Sequence, residues 1–164
     1  MNGKQLSFTA IRAVDMPPLI SNEEIHTPDD AVRIVCGFLE EMDREYFCVV
    51  NLQSDGRPIN MNIVSIGTLN GSIVHPREVF KGAILANAAS IIVLHNHPSG
   101  RLSPSEEDIE ITNRLQESGT IIGIPVTDHV IAGKAGGYFS FREHGIKESR
   151  TFQEAAAEQR NGGR

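Results

Sequence analysis

The residues of this chain best suited to chemistry stand close together: His95 and His97, two apart, then Ser105 and Asp108, three apart. Imidazole nitrogens and a carboxylate oxygen are ligands that zinc takes, and a catalytic zinc uses three protein ligands and keeps a fourth position for water. On such a site the pKa of the bound water falls to about 7, so hydroxide is available at neutral pH. That chemistry also wants a nearby carboxylate, to accept the proton from water and return it to a leaving group. His95, His97 and Asp108 supply two nitrogens and one oxygen. Spacing alone leaves two readings open, a metal site and a structural polar cluster. A His-x-His pair is a common accident, and Ser103 with Glu106 is explained by helix capping. Capping does not explain a further Ser and an Asp on one helix face beside two histidines that leave the core together.

The elements that must position these residues are legible on either side. Ile91-Ile92-Val93-Leu94 is a short β-branched apolar run and reads as a buried strand. Alternate strand residues point the same way, so His95 and His97 aim both imidazoles to one side at its exit. Pro98 and Gly100 end the strand and open a loop. Ser103-Pro104-Ser105-Glu106 has the form of a helix start: Ser103 as N-cap, Pro104 at the first helical position, Glu106 closing a capping box. The helix is expected to run to Ser118, with Ile111 and Leu115 inward and Gly119 as its C-terminal stop. Ser105 and Asp108 then share one face of its first turns.

The rest of the chain supplies a scaffold. Residues 1–26 read as an N-terminal arm, broken by Met16-Pro17-Pro18, with one short strand at Leu6–Val14. Residues 27–147 form the domain. Thr27-Pro28-Asp29-Asp30 starts a helix whose inward face is Ala31, Ile34, Val35, Phe38, Leu39 and Met42. Tyr46–Leu52 is strand-like, Ser54-Asp55-Gly56-Arg57 is a turn, and Ile59–Leu69 returns as the second strand of a hairpin. Asn70-Gly71 is another turn. From Pro76 to Ala88 the spacing of Val79, Phe80, Ala83, Ile84 and Asn87 predicts a helix. Ile121-Ile122, Val126 and Val130-Ile131 supply one or two further strands, and Tyr138-Phe139-Ser140-Phe141 a last one. Residues 148–164 have the composition of a flexible C-terminal tail. The order predicts a mixed α/β (α+β) fold, a single sheet with helices packed on it. No GxGxxG turn is present, so a Rossmann reading fails.

Composition bounds the partners. A chain of 164 residues with 40% apolar content can bury a real core. A formal charge of −6 argues against strong direct binding of nucleic acid. No apolar run approaches the ~20 residues of a membrane span, and the polar N-terminus lacks a signal-peptide profile, so no membrane association is expected and the expected location is cytoplasmic. Cys36 and Cys48 are too few for a disulfide framework and read as small core residues.

The pattern His95-x-His97, seven residues, Ser105, two residues, Asp108 resembles the full signature of the JAMM (MPN-plus, JAB domain) zinc-dependent hydrolases. Gly67-Thr68-Leu69-Asn70, Val74-His75-Pro76-Arg77-Glu78-Val79-Phe80-Lys81, His95-Asn96-His97-Pro98-Ser99-Gly100 and Ile124-Pro125-Val126-Thr127-Asp128-His129-Val130-Ile131 are similar to the bacterial RadC-like branch. The resemblance covers about residues 27–146. It is to the short form: the helix-hairpin-helix segment of long RadC-like proteins is not visible, residues 1–26 being too short and too broken by proline. The resemblance implies the JAMM/MPN (cytidine-deaminase-like) architecture and one Zn(2+) per chain, held by His95, His97 and Asp108. It implies that Ser105 hydrogen-bonds the water or the developing oxyanion, and that Glu45, before the first strand, is the general acid/base. Glu78 is the rival base, although its place in a first helical turn has a sufficient structural reason.

Other polar residues carry weaker signals. His75 and His129 fall within the resembling blocks as supporting or structural groups. Asp128-His129 is read either as a carboxylate orienting an imidazole or as a polar pair at a strand end. Arg101 lies in the loop beside the metal, where it could touch a substrate anion, although a solvated arginine is the plainer case. His26 and His144 carry no special signal. The expected function is a metallopeptidase or isopeptidase-like hydrolase acting on a peptide or protein substrate. The alternative, from another class, is a RadC-like accessory or interaction module with DNA-repair protein partners and no protease activity. A metal-dependent nuclease is weaker, because phosphodiester chemistry often uses two oxygen-ligated metals and one Asp is evident here.

Overall fold

The computed structural model describes residues 24–39, 42–67 and 74–145. The expected strand at Leu6–Val14, the Asn70-Gly71 turn, the tail beyond Lys147 and the side chains of Cys36 and Phe38 lie outside that description. Helix α1 (Pro28–Leu39) is opened by a reciprocal cap: the Asp30 N–H donates to the Thr27 hydroxyl at 3.2 Å and the Thr27 N–H to the Asp30 carboxylate at 2.9 Å. Strands β1 (Tyr46–Leu52) and β2 (Pro58–Ile66) form the hairpin. Then come α2 (Pro76–Leu85), β3 (Ser90–Asn96), α3 (Glu106–Ile122), β4 (Val126–Ala132), a short 3-10 turn and β5 (Tyr138–Ser140).

The five strands make one mixed sheet in the order β2-β1-β3-β4-β5. β3 is antiparallel to β1 and parallel to β4, so α3 is the crossover that returns the chain for the parallel pairing. β1 and β3 are central and buried on both faces, which is why both read as nearly continuous apolar runs. On one face Cys48, Val50, Leu52, Ile92, Leu94, Val130 and Ala132 pack against α1 through Ala31, Val32, Val35 and Leu39. On the other, Phe47, Val49, Ile91 and Val93 meet Val79, Phe80 and Ala83 of α2 and Leu115 of α3. His95 continues the Ile91, Val93 series, so it faces the α2/α3 layer.

The structure departs from the sequence expectations at several places. The inward face of α1 includes the buried Val32, with Ile34 only half-buried. Helix α2 ends at Leu85: Asn87 adopts a left-handed φ of 50°, which asparagine tolerates, and Ile84 points outward. Helix α3 does not start at a Ser103 cap. Its N-cap is Ser105, with Pro104 outside the helix. Nor does it stop at Gly119. It continues through Ile121 and Ile122, which are exposed helical residues rather than a strand, and ends at Gly123 with φ 81°. Gly119 has another reason to be glycine: a Cβ there would lie 2.6 Å from the Ile124 backbone oxygen and 3.3 Å from the Phe80 ring. The helix passes that close to its own exit chain and to α2.

Gly119→Ala therefore sets a helix-propensity gain of about 1 kcal/mol against an overpacking cost of about 1–3 kcal/mol. The obstructing atom is backbone and cannot swing aside, so the cost wins. The expected outcome is a Tm lower by about 2–6 °C for a chain of this size. An unchanged or raised Tm would show that α3 does not run this close to residue 124.

Candidate metal centre

Three groups converge where β3 ends and α3 begins. The ligating atoms of His95, His97 and Asp108 lie within 4.8 Å of one another, and no other such group occurs among the described residues. His95 Nε2 is 3.0 Å from His97 Nε2; it is 3.1 Å from Asp108 Oδ1, and His97 Nε2 is 3.3 Å from Asp108 Oδ2. His95 is fully buried, Asp108 nearly so, and His97 sits at the mouth.

Local sequence accounts for each placement. His95 pairs across the sheet with Phe47, whose ring stacks on it at 6.0 Å. His97 lies one residue past β3, where Gly100 turns the chain back at φ 74°, a conformation that favours glycine. The turn brings the Arg101 carbonyl to His97 Nδ1 at 2.8 Å. A carbonyl only accepts, so neutral His97 carries its proton on Nδ1 and presents a bare Nε2 to the cluster. Asp108 is the third residue of α3 and closes a capping box. The Ser105 N–H and hydroxyl each donate to its Oδ2 at 2.7 Å, and the Asp108 N–H donates to the Ser105 hydroxyl at 3.1 Å. Ser105, rather than Ser103, is thus both cap and neighbour of the cluster. Its pairing with Asp108 at the third position explains the later helix start.

Electrostatics follow from these contacts. Burial alone would raise the Asp108 carboxyl, but the bonds that His95 and His97 donate when their rings are protonated, with the Ser105 hydroxyl, hold it well below the usual carboxylate range. The bond to Asp108 raises the His97 imidazole against burial. Two imidazoles and a carboxylate with their acceptor atoms turned inward are satisfied by protons or by one cation. The N2O donor set suits zinc and leaves room in a tetrahedral shell for water.

Glu45 lies two residues before Phe47, on the same sheet face, and its charge is felt by this cluster. Burial raises its carboxyl above the ordinary value, with His95 and His97 pulling it down and Asp108 pushing it up. Glu78 has other company. It is ion-paired to Lys81 at 2.6 Å, which lowers its carboxyl, and its further partners are Arg77 and His75. No signal in the sequence reading pointed to Asn96. It sits between the two histidines on the opposite sheet face, where its side chain accepts from the Tyr46 N–H at 2.8 Å and donates to the Arg44 carbonyl at 3.0 Å. It thereby grips the backbone on both sides of Glu45.

The remaining polar residues take structural places. The Asp128 carboxylate does not touch the His129 ring. It accepts from the His129 N–H at 2.8 Å, the Ser140 hydroxyl at 2.7 Å and the Arg142 N–H at 3.1 Å, tying β4 to the turn after β5. The His129 ring is buried among Phe47, Phe141 and His95. Burial, with the charge of His95 next, holds its pKa far below the ordinary value. His75 is the N-cap of α2 without a side-chain capping bond, His26 pairs with the exposed Glu24, and His144 stacks on Phe139. Arg101 has an exposed side chain and contributes its carbonyl.

Comparison with known proteins agrees with this geometry. The model of the RadC-like JAB domain family matches residues 25–146. A UPF0758 protein of Rubrobacter xylanophilus is 52% identical over 122 residues, 74% of this chain and 53% of that protein. One of Desulfitobacterium hafniense is 46% identical over 135 residues, 82% and 59% respectively, and one of Caldanaerobacter subterraneus is 48% identical over 124 residues, 76% and 53%. The chain thus spans about half the length of the curated relatives it matches. Their names state no activity.

The cluster has a pH signature of its own in the metal-free protein. The Asp108 carboxyl sits below its ordinary 3.8, so its contribution to folding is present above that pH and is lost as pH falls through the depressed value. His97 sits above its ordinary 6.5, so its contribution is complete below 6.5 and is lost as pH rises through the raised value. The Tm cost of Asp108→Asn is therefore expected to be largest between pH 3.8 and 6.5 and to shrink above that window. Paired melts in a chelator across that range check this. A cost that stays flat from about pH 5 to about pH 9 would show that the contact contributes no linked stability.

Proposed function

The chain belongs to the RadC-like JAB domain family, and from that premise we propose that it is a zinc-dependent hydrolase acting on a peptide or isopeptide bond of a peptide or protein substrate. The observation that carries this reading is the convergence of His95, His97 and Asp108 at one sheet end, with a half-buried carboxylate, Glu45, electrostatically coupled to all three. One zinc per chain on these ligands would supply a Lewis acid and a water ionised near neutral pH, of pKa about 7.

The remaining tasks fall to the chain's own side chains. Glu45, its proton affinity raised by burial, is suited to accept a proton and to give it back to a leaving amine within one cycle. Ser105 carries a single hydroxyl proton directed at Asp108 Oδ2. With the carboxylate charge engaged by a cation, that donor can turn to an oxyanion developing on the substrate carbonyl. Asn96 fixes the backbone on both sides of Glu45 and so limits how far its carboxylate can drift from the histidines. No helix among the described residues is long and apolar enough to cross a membrane. The same reading places the protein in the cytoplasm. The alternative, an interaction module for DNA-repair proteins, would keep the fold and leave a half-buried Glu45 beside the ligands without a task.

Metal analysis is expected to find close to one zinc per chain, lost in Asp108→Ala and His97→Ala. Glu45→Gln should retain the metal and lose about 10²–10⁴ in turnover on a peptide and isopeptide library. Undiminished turnover in that variant would remove Glu45 as the base. A zinc-loaded wild type that cleaves nothing in the library, yet binds repair proteins, would favour the interaction module.

A further inference from the structure

Behind the three inward-facing groups runs a buried chain of hydrogen bonds that ends on the helix it began from. His95 Nδ1 lies 2.8 Å from His129 Nε2, and His129 Nδ1 lies 2.6 Å from the Thr112 hydroxyl. That hydroxyl lies 2.5 Å from the Asp108 carbonyl oxygen, one helical turn back. Thr112, His129 and His95 are all buried, so no solvent completes any of these contacts.

The protons along this chain can be assigned by counting. The Asp108 carbonyl can only accept, so the Thr112 hydroxyl donates to it and spends its one proton there. His129 Nδ1 must then be the N–H that donates to the threonine oxygen. A neutral imidazole carries one N–H, which leaves His129 Nε2 bare. Across the 2.8 Å contact the proton therefore belongs to His95 Nδ1, and His95 Nε2 is the lone pair. The reverse order puts the threonine proton on His129 and leaves two oxygens 2.5 Å apart with no proton between them.

We propose that Thr112 and His129 are positioning residues that hold His95 in its Nδ1–H tautomer, so that its bare Nε2 is presented to a metal ion. This rests on the reading of His95 as a metal ligand. His97 reaches the same state by a separate route, through the Arg101 carbonyl. Rings around the relay keep the imidazoles from turning: Phe141 stacks on His129 at 4.8 Å and 8°, and Phe47 lies at 6.0 Å from His95 and 5.6 Å from His129. Supporting partners of this kind typically change metal affinity by about 10–100-fold when removed.

The test uses the full chain, with zinc as the probe. Imidazole ¹⁵N spectra of the metal-free protein at a pH where the rings are neutral are expected to show protonated Nδ1 and bare Nε2 for both His95 and His129. Thr112→Val, isosteric and lacking the hydroxyl, should weaken zinc binding by about 10–100-fold in chelator competition, and Thr112→Ser should restore it. His129→Phe should weaken it at least as much, and if that variant does not fold, the threonine pair decides alone. A proton found on His95 Nε2, or a Thr112→Val protein that binds zinc as tightly as wild type, overturns the proposal. Wild type that takes up no zinc, or His97→Ala and Asp108→Ala proteins that bind it unchanged, overturns the metal reading itself and this proposal with it. That failure differs visibly from a relay that fails in a protein that does bind zinc.

Discussion

A carboxylate brought out of water must find partners, and the local architecture follows from how Asp108 finds them. Leaving such a charge unpaired costs several kcal/mol. Asp108 meets the demand from three directions. From one it accepts the N–H and hydroxyl of Ser105; in the other two the Nε2 atoms of His95 and His97 stand 3.1 and 3.3 Å away, where a proton or a cation between them and the carboxylate completes the pairing. One of those directions is the N-terminus of α3, where backbone donors and the helix dipole favour negative charge. The other two come from the exit of β3. A single anion therefore ties the start of a helix to the end of a strand that precedes it by a nine-residue loop, and the crossover between β3 and β4 is closed over it. Because this anchor uses acceptors turned inward, it is also what makes the spot attractive to a cation.

The sheet supports that anchor by being dry on both sides. β1 and β3 are covered by α1 on one face and by α2 and α3 on the other, so the strand ends reach the site with little freedom to twist. Cys48 lies in the α1 layer, where burial pushes its thiol up to about 12. It is a packing residue without a reactive thiolate.

Much of this was legible in the sequence because it depends on local patterns. The Thr27 cap, the hairpin, the buried run before His95 and the convergence of two histidines with an aspartate all rest on spacing of a few residues. The errors share a cause, which is that several local patterns competed. Ser103-Pro104 and Ser105 each make a plausible cap. What chooses between them is the contact of Asp108 with two histidines on another element, which no propensity records. Gly119 looks like a stop, and the β-branched pair Ile121-Ile122 looks like a strand; both are overruled by the close passage of α3 over residue 124. The sequence does not single out Thr112, and it offers Asp128 rather than Thr112 as the partner of the His129 ring, because the true contact spans seventeen residues. One signal was available: Asp108, Thr112, Leu115 and Gly119 recur at helical spacing and all are buried, so Thr112 had to stand directly behind Asp108.

The exit of β3 carries a consequence that concerns tolerance to change rather than chemistry. His95 and His97 look to one side and Asn96 to the other, where it holds the stretch bearing Glu45. The period of two along a strand makes this alternation a reading frame. A single residue gained or lost within β3 would turn the amide towards the ligand pocket and both imidazoles into the α1 layer, undoing ligation and clamp together. Selection on this strand therefore acts on its length as strictly as on its letters, while the neighbouring loop from Pro98 to Pro104 need only keep the Arg101 carbonyl on His97 and return the chain to Ser105.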